Sequence, residues 1–158
     1  MVITGAADRA IDRIGHLVYL DAATPANGES LATHSKPFAD AQRTRIFTVD
    51  GVELIMSPSV ELAHFLGVTD PDDVAWLVER LTPHPWKTVM QPLRLTNEVA
   101  LRNIPQTHIV CTASLPIRDV ERIKQVSDGR LWDIDTGHNL MITEPRKTAD
   151  LLLKVAAL

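Results

Sequence analysis

The stretch Trp132–Pro145, WDIDTGHNLMITEP, places Thr136-Gly137-His138 between a short apolar segment and a helical pattern. A neutral imidazole held on such a loop can accept a proton near pH 7 and return it, so the chemistry open to His138 is that of a general base serving a nucleophile. A thiol nucleophile is not expected. The single cysteine, Cys111, lies in an apolar run with no histidine at a recognisable offset, and reads as a small buried core residue. The remaining histidines, His16, His34, His64, His84 and His108, show no H-x-x-x-H, Cys-x-x-Cys or acid-rich ligand spacing, so neither a metal nor a cofactor is expected.

Three short apolar runs are placed to carry such a loop: His16–Asp21, Thr107–Thr112 and Leu131–Asp135. None alternates with polar residues, as expected of parallel strands covered on both faces. Helical patterns flank them. Ile3, Ala6, Ala7, Ala10, Ile11 and Ile14 form one stripe over residues 2–14; further helices are expected over 116–127 and 144–157, the last with Thr143 as cap and Leu151, Leu152, Val155 and Leu158 on one face. Alternating strand and helix implies an α/β chain with a parallel sheet and crossover helices.

About 85 residues separate the first two strands, far more than a crossover needs, so this segment must have structure of its own. Asp70–Leu81 predicts a helix capped by Asp70, with Pro71 in its first turn and Val74, Leu77, Val78 and Leu81 on one face. Phe47–Leu54 predicts a hairpin turning at Asp50-Gly51. A mainly helical insertion with one small hairpin, set before the histidine loop, is suited to a lid, in which Trp76 and Trp86 either line a pocket or pack a core.

Bulk composition narrows the function classes. With 158 residues, 45% hydrophobic, the chain can build one core, and it has no run long enough to span a bilayer. The net charge is -4 and the 16 Lys and Arg are scattered, which argues against nucleic acid. No secretory signal pattern opens the sequence and no disulfide can form within it, so a cytoplasmic setting is expected.

Several stretches together resemble the α/β-hydrolases, in particular the small esterase and hydroxynitrile-lyase branch of bacterial type: MVITGAADRA with HLVYLDAATPANGESL, GVTDPDDVAWLVERLTPHP with QPLRLT, and TGHNLMITEPRKTADLLL. The resemblance implies the C-terminal part of that fold, with residues 1–23 and 107–158 as a partial core and 24–106 as a cap. It implies a serine ester hydrolase with His138 as base and a small-molecule ester as substrate. In the family the segment resembling Met1–Ala10 follows the nucleophile elbow, G-x-S-x-G. No such motif occurs in the sequence; Gly28-Glu29-Ser30-Leu31 lacks the second glycine. The expectation is therefore a chain lacking its nucleophile segment and inactive by itself, with a non-catalytic ligand-binding remnant or a half-protein as alternatives.

The family's usual acid follows the strand matching Thr107–Thr112, where Ala113–Arg118 offers no carboxylate. Asp119 is the first one downstream, within the expected helix. Asp21, at the end of the preceding strand, is the other position from which hydrolases of this fold supply the acid, and it is preferred here, although an aspartate there can equally cap a turn. Hydroxynitrile lyases carry a lysine after the catalytic histidine; Asn139 stands in that place and cannot supply the charge, which favours ester hydrolysis. With the nucleophile's strand absent, strand 16–22 would present an unprotected edge and recruit another strand, giving self-association or a complex with a complementing N-terminal chain.

Overall fold

The computed structural model describes residues 2–158. In chain order the elements are α1 (Val2–Arg9), β1 (Leu17–Leu20), α2 (Leu31–His34), α3 (Lys36–Arg43), β2 (Phe47–Val49), β3 (Val52–Ile55), α4 (Val60–Phe65), α5 (Pro71–Arg80), β4 (His84–Pro85), α6 (Trp86–Met90), α7 (Glu98–Arg102), β5 (Gln106–Cys111), α8 (Val120–Val126), β6 (Leu131–Ile134), α9 (Leu140–Thr143) and α10 (Pro145–Ala156). Two sheets result. β1, β5 and β6 form a parallel sheet in that order, and β2, β3 and β4 form a small antiparallel one.

The parallel sheet is covered on both faces, which is why its strands lack polar alternation. Leu17 and Tyr19 of β1 pack with Ala7 of α1, Leu101 of α7 and Ile104. Val18 and Leu20 turn the other way, onto Ile109, Ile134 and Leu140, with Trp132 and Leu151 of α10 closing the layer. Asp8 ties α1 to the end of the inserted segment. Its carboxylate accepts the backbone N–H groups of Thr96 and Asn97 and the Thr96 hydroxyl, at 2.8–3.0 Å. The Thr96 N–H foremost, against the upward push of burial, lowers its pKa below the ordinary carboxylate value.

Within the inserted segment, the Asp50-Gly51 turn forms as its residue types demand, with φ of 50° and 78°, the left-handed pair of a type I′ hairpin. The Asp70 carboxylate caps α5 by accepting the N–H groups of Asp72 and Asp73. The apolar face of α5, Val74 and Leu77 with Val78 and Leu81, packs on Ala63, Val68 and Ile142.

Several local expectations are corrected. The first helix ends at Arg9, and Ile11–Arg13 forms a 3-10 turn after the non-helical Ala10 (φ -138°, ψ 42°). This break keeps Ile11 and Ile14 against the sheet while turning the chain into β1, where the Leu17 N–H donates to Pro105 O. The expected helix 116–127 begins only at Val120, because Thr112–Ile117 winds as a 3-10 turn containing Pro116, whose missing N–H and ring oppose an α-helical register. Thr143 does not cap α10; its hydroxyl meets that of Thr136 at 2.5 Å. Val155 and part of Leu151 are buried, but Leu152 and Leu158 are exposed.

Candidate active site

All three parallel strands run the same way, so their C-terminal ends share one edge of the sheet, the edge at which open α/β folds place their ligands. Asp21 follows β1, a 3-10 turn bearing Ser114 follows β5, and the His138 loop follows β6. Topology therefore brings together side chains more than ninety residues apart.

Asp21 closes the ladder through its N–H to Ile109 O at 2.7 Å, then turns with φ of 41°. A non-glycine residue in that region stores on the order of 1 kcal/mol of strain and needs surrounding contacts to hold it. Those contacts are extensive. With its side chain 1% exposed, Asp21 accepts at Oδ1 from the Ser114 hydroxyl at 2.5 Å and the Cys111 N–H at 3.3 Å, and pairs there with the Arg118 guanidinium at 2.9 Å. Its Oδ2 accepts from His138 Nδ1 at 2.6 Å. Burial alone would push the carboxyl pKa up. The hydrogen bonds from His138 and Ser114, the Arg118 charge and the Cys111 N–H outweigh it and hold the pKa at about 2.

A carboxylate held ionised only accepts, so His138 Nδ1 must donate, and in the neutral ring the lone pair is then on Nε2. No described group hydrogen-bonds that second nitrogen, and the side chain is 50% exposed. An oriented imidazole with an accessible Nε2 over a buried acid can take a proton from a nucleophile brought within hydrogen-bond reach.

The loop bearing His138 is held by close backbone contact. Gly137 lies against Gly67, which has φ of 82°; a Cβ on either glycine would stand 2.5 Å from the other's Cα. The Asn139 N–H donates to Leu66 O at 3.0 Å, and the Thr112 hydroxyl donates to Asp135 at 2.8 Å. Leu140, fully buried, anchors the start of α9.

The other sequence candidates lie apart from this pair. Asp119 caps α8, its carboxylate accepting the Arg122 N–H at 3.0 Å, and makes no bond to His138. Cys111 is buried at the end of β5. Trp86 packs in the core with Ala39, Ile55 and Val89, while Trp76 is half exposed beneath Arg80. An open, largely apolar groove of about 560 Å³ runs between α4 and α5, lined by Val60, His64, Val74 and Val78 but by neither Asp21 nor His138. Among the described residues no group of three or more His, Cys, Asp or Glu side chains is placed to hold a metal ion, and no helix is long and apolar enough to cross a membrane. Ser114 and Arg118 were missed from sequence. The signal for them was the lack of a carboxylate in Ala113–Arg118, where two residues that pair with a carboxylate stand instead.

Among solved structures, the chain is similar to an extracellular α/β-hydrolase from a Paenibacillus species, described as sharing structural and functional homology with tobacco salicylic acid binding protein 2. The superposition has a TM-score of 0.65 at 20% sequence identity and covers 97% of this chain. This chain has the α/β-hydrolase fold. It spans 66% of the length of the matched chain, so the likeness is to part of an α/β-hydrolase. No family model matches the sequence, and no match to it was found among the curated proteins. Identity this low carries the α/β-hydrolase architecture and no activity.

Proposed function

We propose that Asp21 and His138 are the acid and base of a Ser-His-Asp ester hydrolase whose nucleophile lies outside these 158 residues. The observation that carries this reading is the 2.6 Å bond from His138 Nδ1 to a buried carboxylate, with Nε2 left free at the C-terminal edge of the sheet. In the complete site a serine would attack the ester carbonyl as His138 takes its proton. The resulting imidazolium, stabilised by Asp21, would return that proton to the leaving alcohol, and water would repeat the sequence on the acyl-enzyme. Asn139 after the histidine is neutral, which supports ester cleavage over cyanohydrin cleavage.

Among the described residues β1 pairs only with β5, so its other edge is available to a further strand. The completing strand in this reading is the one that presents the serine, joined to this chain or borne on a separate one. The inserted segment, residues 24–106, serves as the cap over that site. A cytoplasmic setting fits the single cysteine; the matched hydrolase is by its description extracellular.

The test is to read the coding DNA upstream of the Met1 codon for an in-frame strand ending in G-x-S-x-G, and to assay the extended and the 158-residue chains on short-chain p-nitrophenyl esters. Turnover by the extended chain alone is expected. Turnover by the 158 residues would overturn the external nucleophile. No upstream elbow, no turnover and tight binding of a small ligand would replace the enzyme with a binding protein on the same fold.

A further inference from the structure

Among the described residues Arg118 is the one guanidinium bonded to Asp21, and it touches more than the carboxylate. Its Nη2 donates to Asp21 O at 2.6 Å and its Nη1 to Ala22 O at 3.2 Å, while Nη2 also pairs with Asp21 Oδ1 at 2.9 Å. Nε reaches the Ser114 oxygen at 3.4 Å, and that hydroxyl in turn donates to the same Oδ1. The side chain is 16% exposed, so these bonds form largely out of water, where they hold geometry best.

The contacts divide into two tasks. Two carbonyls, of residues 21 and 22, are bonded at the point where the backbone enters the left-handed region (φ 41°). One carboxylate oxygen, Oδ1, is saturated by Arg118, Ser114 and the Cys111 N–H, which leaves Oδ2 alone to face the imidazole. A planar fork with five N–H donors can do both at once; an ammonium, a point charge on a flexible stem, cannot.

We infer that Arg118 is a positioning residue for the Asp21–His138 pair, fixing the strained turn after β1 and the carboxylate rotamer so that only Oδ2 meets His138 Nδ1. The inference rests on the reading of this pair as acid and base. It explains how the acid can sit after β1 while the turn after β5 supplies no carboxylate. That turn, Thr112–Ile117 with Arg118 at its end, provides the hydroxyl and guanidinium that orient an acid from the neighbouring strand.

Proton NMR of the full 158-residue chain tests this without substrate. The Nδ1–H of an imidazole bonded to a buried carboxylate resonates far downfield, and loss of the signal in His138→Gln assigns it. In Arg118→Met, a neutral replacement of similar length, this resonance is expected to disappear or move upfield. The Asp21 carboxyl, followed by carbon NMR, is expected to titrate about one pH unit higher than in the wild type. An unchanged resonance in folded Arg118→Met would overturn the inference. Should that variant fail to fold, Arg118→Lys decides: it keeps the charge but not the fork, so a displaced resonance supports positioning and a wild-type resonance overturns it. Absent ester turnover would remove the proposed function and leave this outcome readable.

Discussion

His108, in the middle of β5, is 1% exposed, stacks on Tyr19 with ring centroids 4.7 Å apart, and has an Nε2 without a hydrogen-bond partner among the described residues. His138, past the end of β6, is half exposed, with one ring nitrogen bonded to a buried carboxylate. Burial, and secondarily the charge of Arg118, lower the pKa of His108 to about 4, so it is a neutral core ring at physiological pH. One chain thus uses the same side chain as packing material and as an oriented polar group. What separates the two is the partner: a saturated carboxylate beside one ring, an aromatic face beside the other.

The largest expected effect follows from exchanging the two roles. On the proposed reading, His138→Gln in the extended, serine-bearing chain should lower ester turnover by roughly 10⁶-fold, the effect of removing the base from such a relay. Its unfolding free energy should fall by about 1–3 kcal/mol, since the buried Asp21 Oδ2 loses the ring N–H that bonds it. His108→Phe should do the opposite. Turnover stays within about threefold, and stability is unchanged or rises, because an unpartnered buried nitrogen is replaced by carbon of similar shape. Kinetics and urea denaturation on the two variants check this; a turnover collapse in His108→Phe would show that the wrong histidine had been assigned to chemistry.

A second comparison sets Gly67 against Gly28. Both have positive φ, 82° and 83°, but a Cβ on Gly67 would strike the Gly137 backbone at 2.5 Å whereas one on Gly28 would meet open space. Gly28→Ala should cost about 1 kcal/mol for conformation alone. Gly67→Ala should cost about 3 kcal/mol, the excess coming from overpacking against the histidine loop. Denaturation midpoints measure the difference. Equal costs would mean that the close approach does not hold the loop and that the inserted segment does not position His138.

The parallel strands, the Asp50-Gly51 hairpin and the α5 cap were legible in sequence because each is a local pattern: an apolar run, a turn pair, an aspartate before a proline. His138 was legible for the same reason, as a Gly-His pair after an apolar run. The other partners of Asp21 were not. Ser114 and Arg118 become ligands of Asp21 only when β1 and β5 pair with Leu20 opposite Ile109, a long-range register that no local period encodes. The Gly67–Gly137 contact is also invisible in sequence, since it joins the inserted segment to the last loop through backbone alone.

Acid titration of stability separates the two buried groups, His108 and Asp21. The folded pKa of His108 is about 4, below the ordinary 6.5, so as pH falls from about 6.5 the unfolded chain takes a proton that the folded chain refuses. Stability present above pH 6.5 is therefore lost down to about pH 4, on the order of 3 kcal/mol, after which the loss levels off. Asp21 acts lower. Its folded value is about 2 against 3.8, so its contribution is intact above the ordinary value and is lost only between roughly pH 4 and pH 2. His16 and His34, both lowered chiefly by burial, add to the upper window, so His108→Phe should flatten that limb without removing it and leave the lower limb in place. Urea midpoints at half-unit pH steps give both limbs in one series. An upper limb unchanged in His108→Phe would mean that the ring at β5 admits a proton at little cost, and the contrast with His138 would then rest on hydrogen bonding to Asp21 alone.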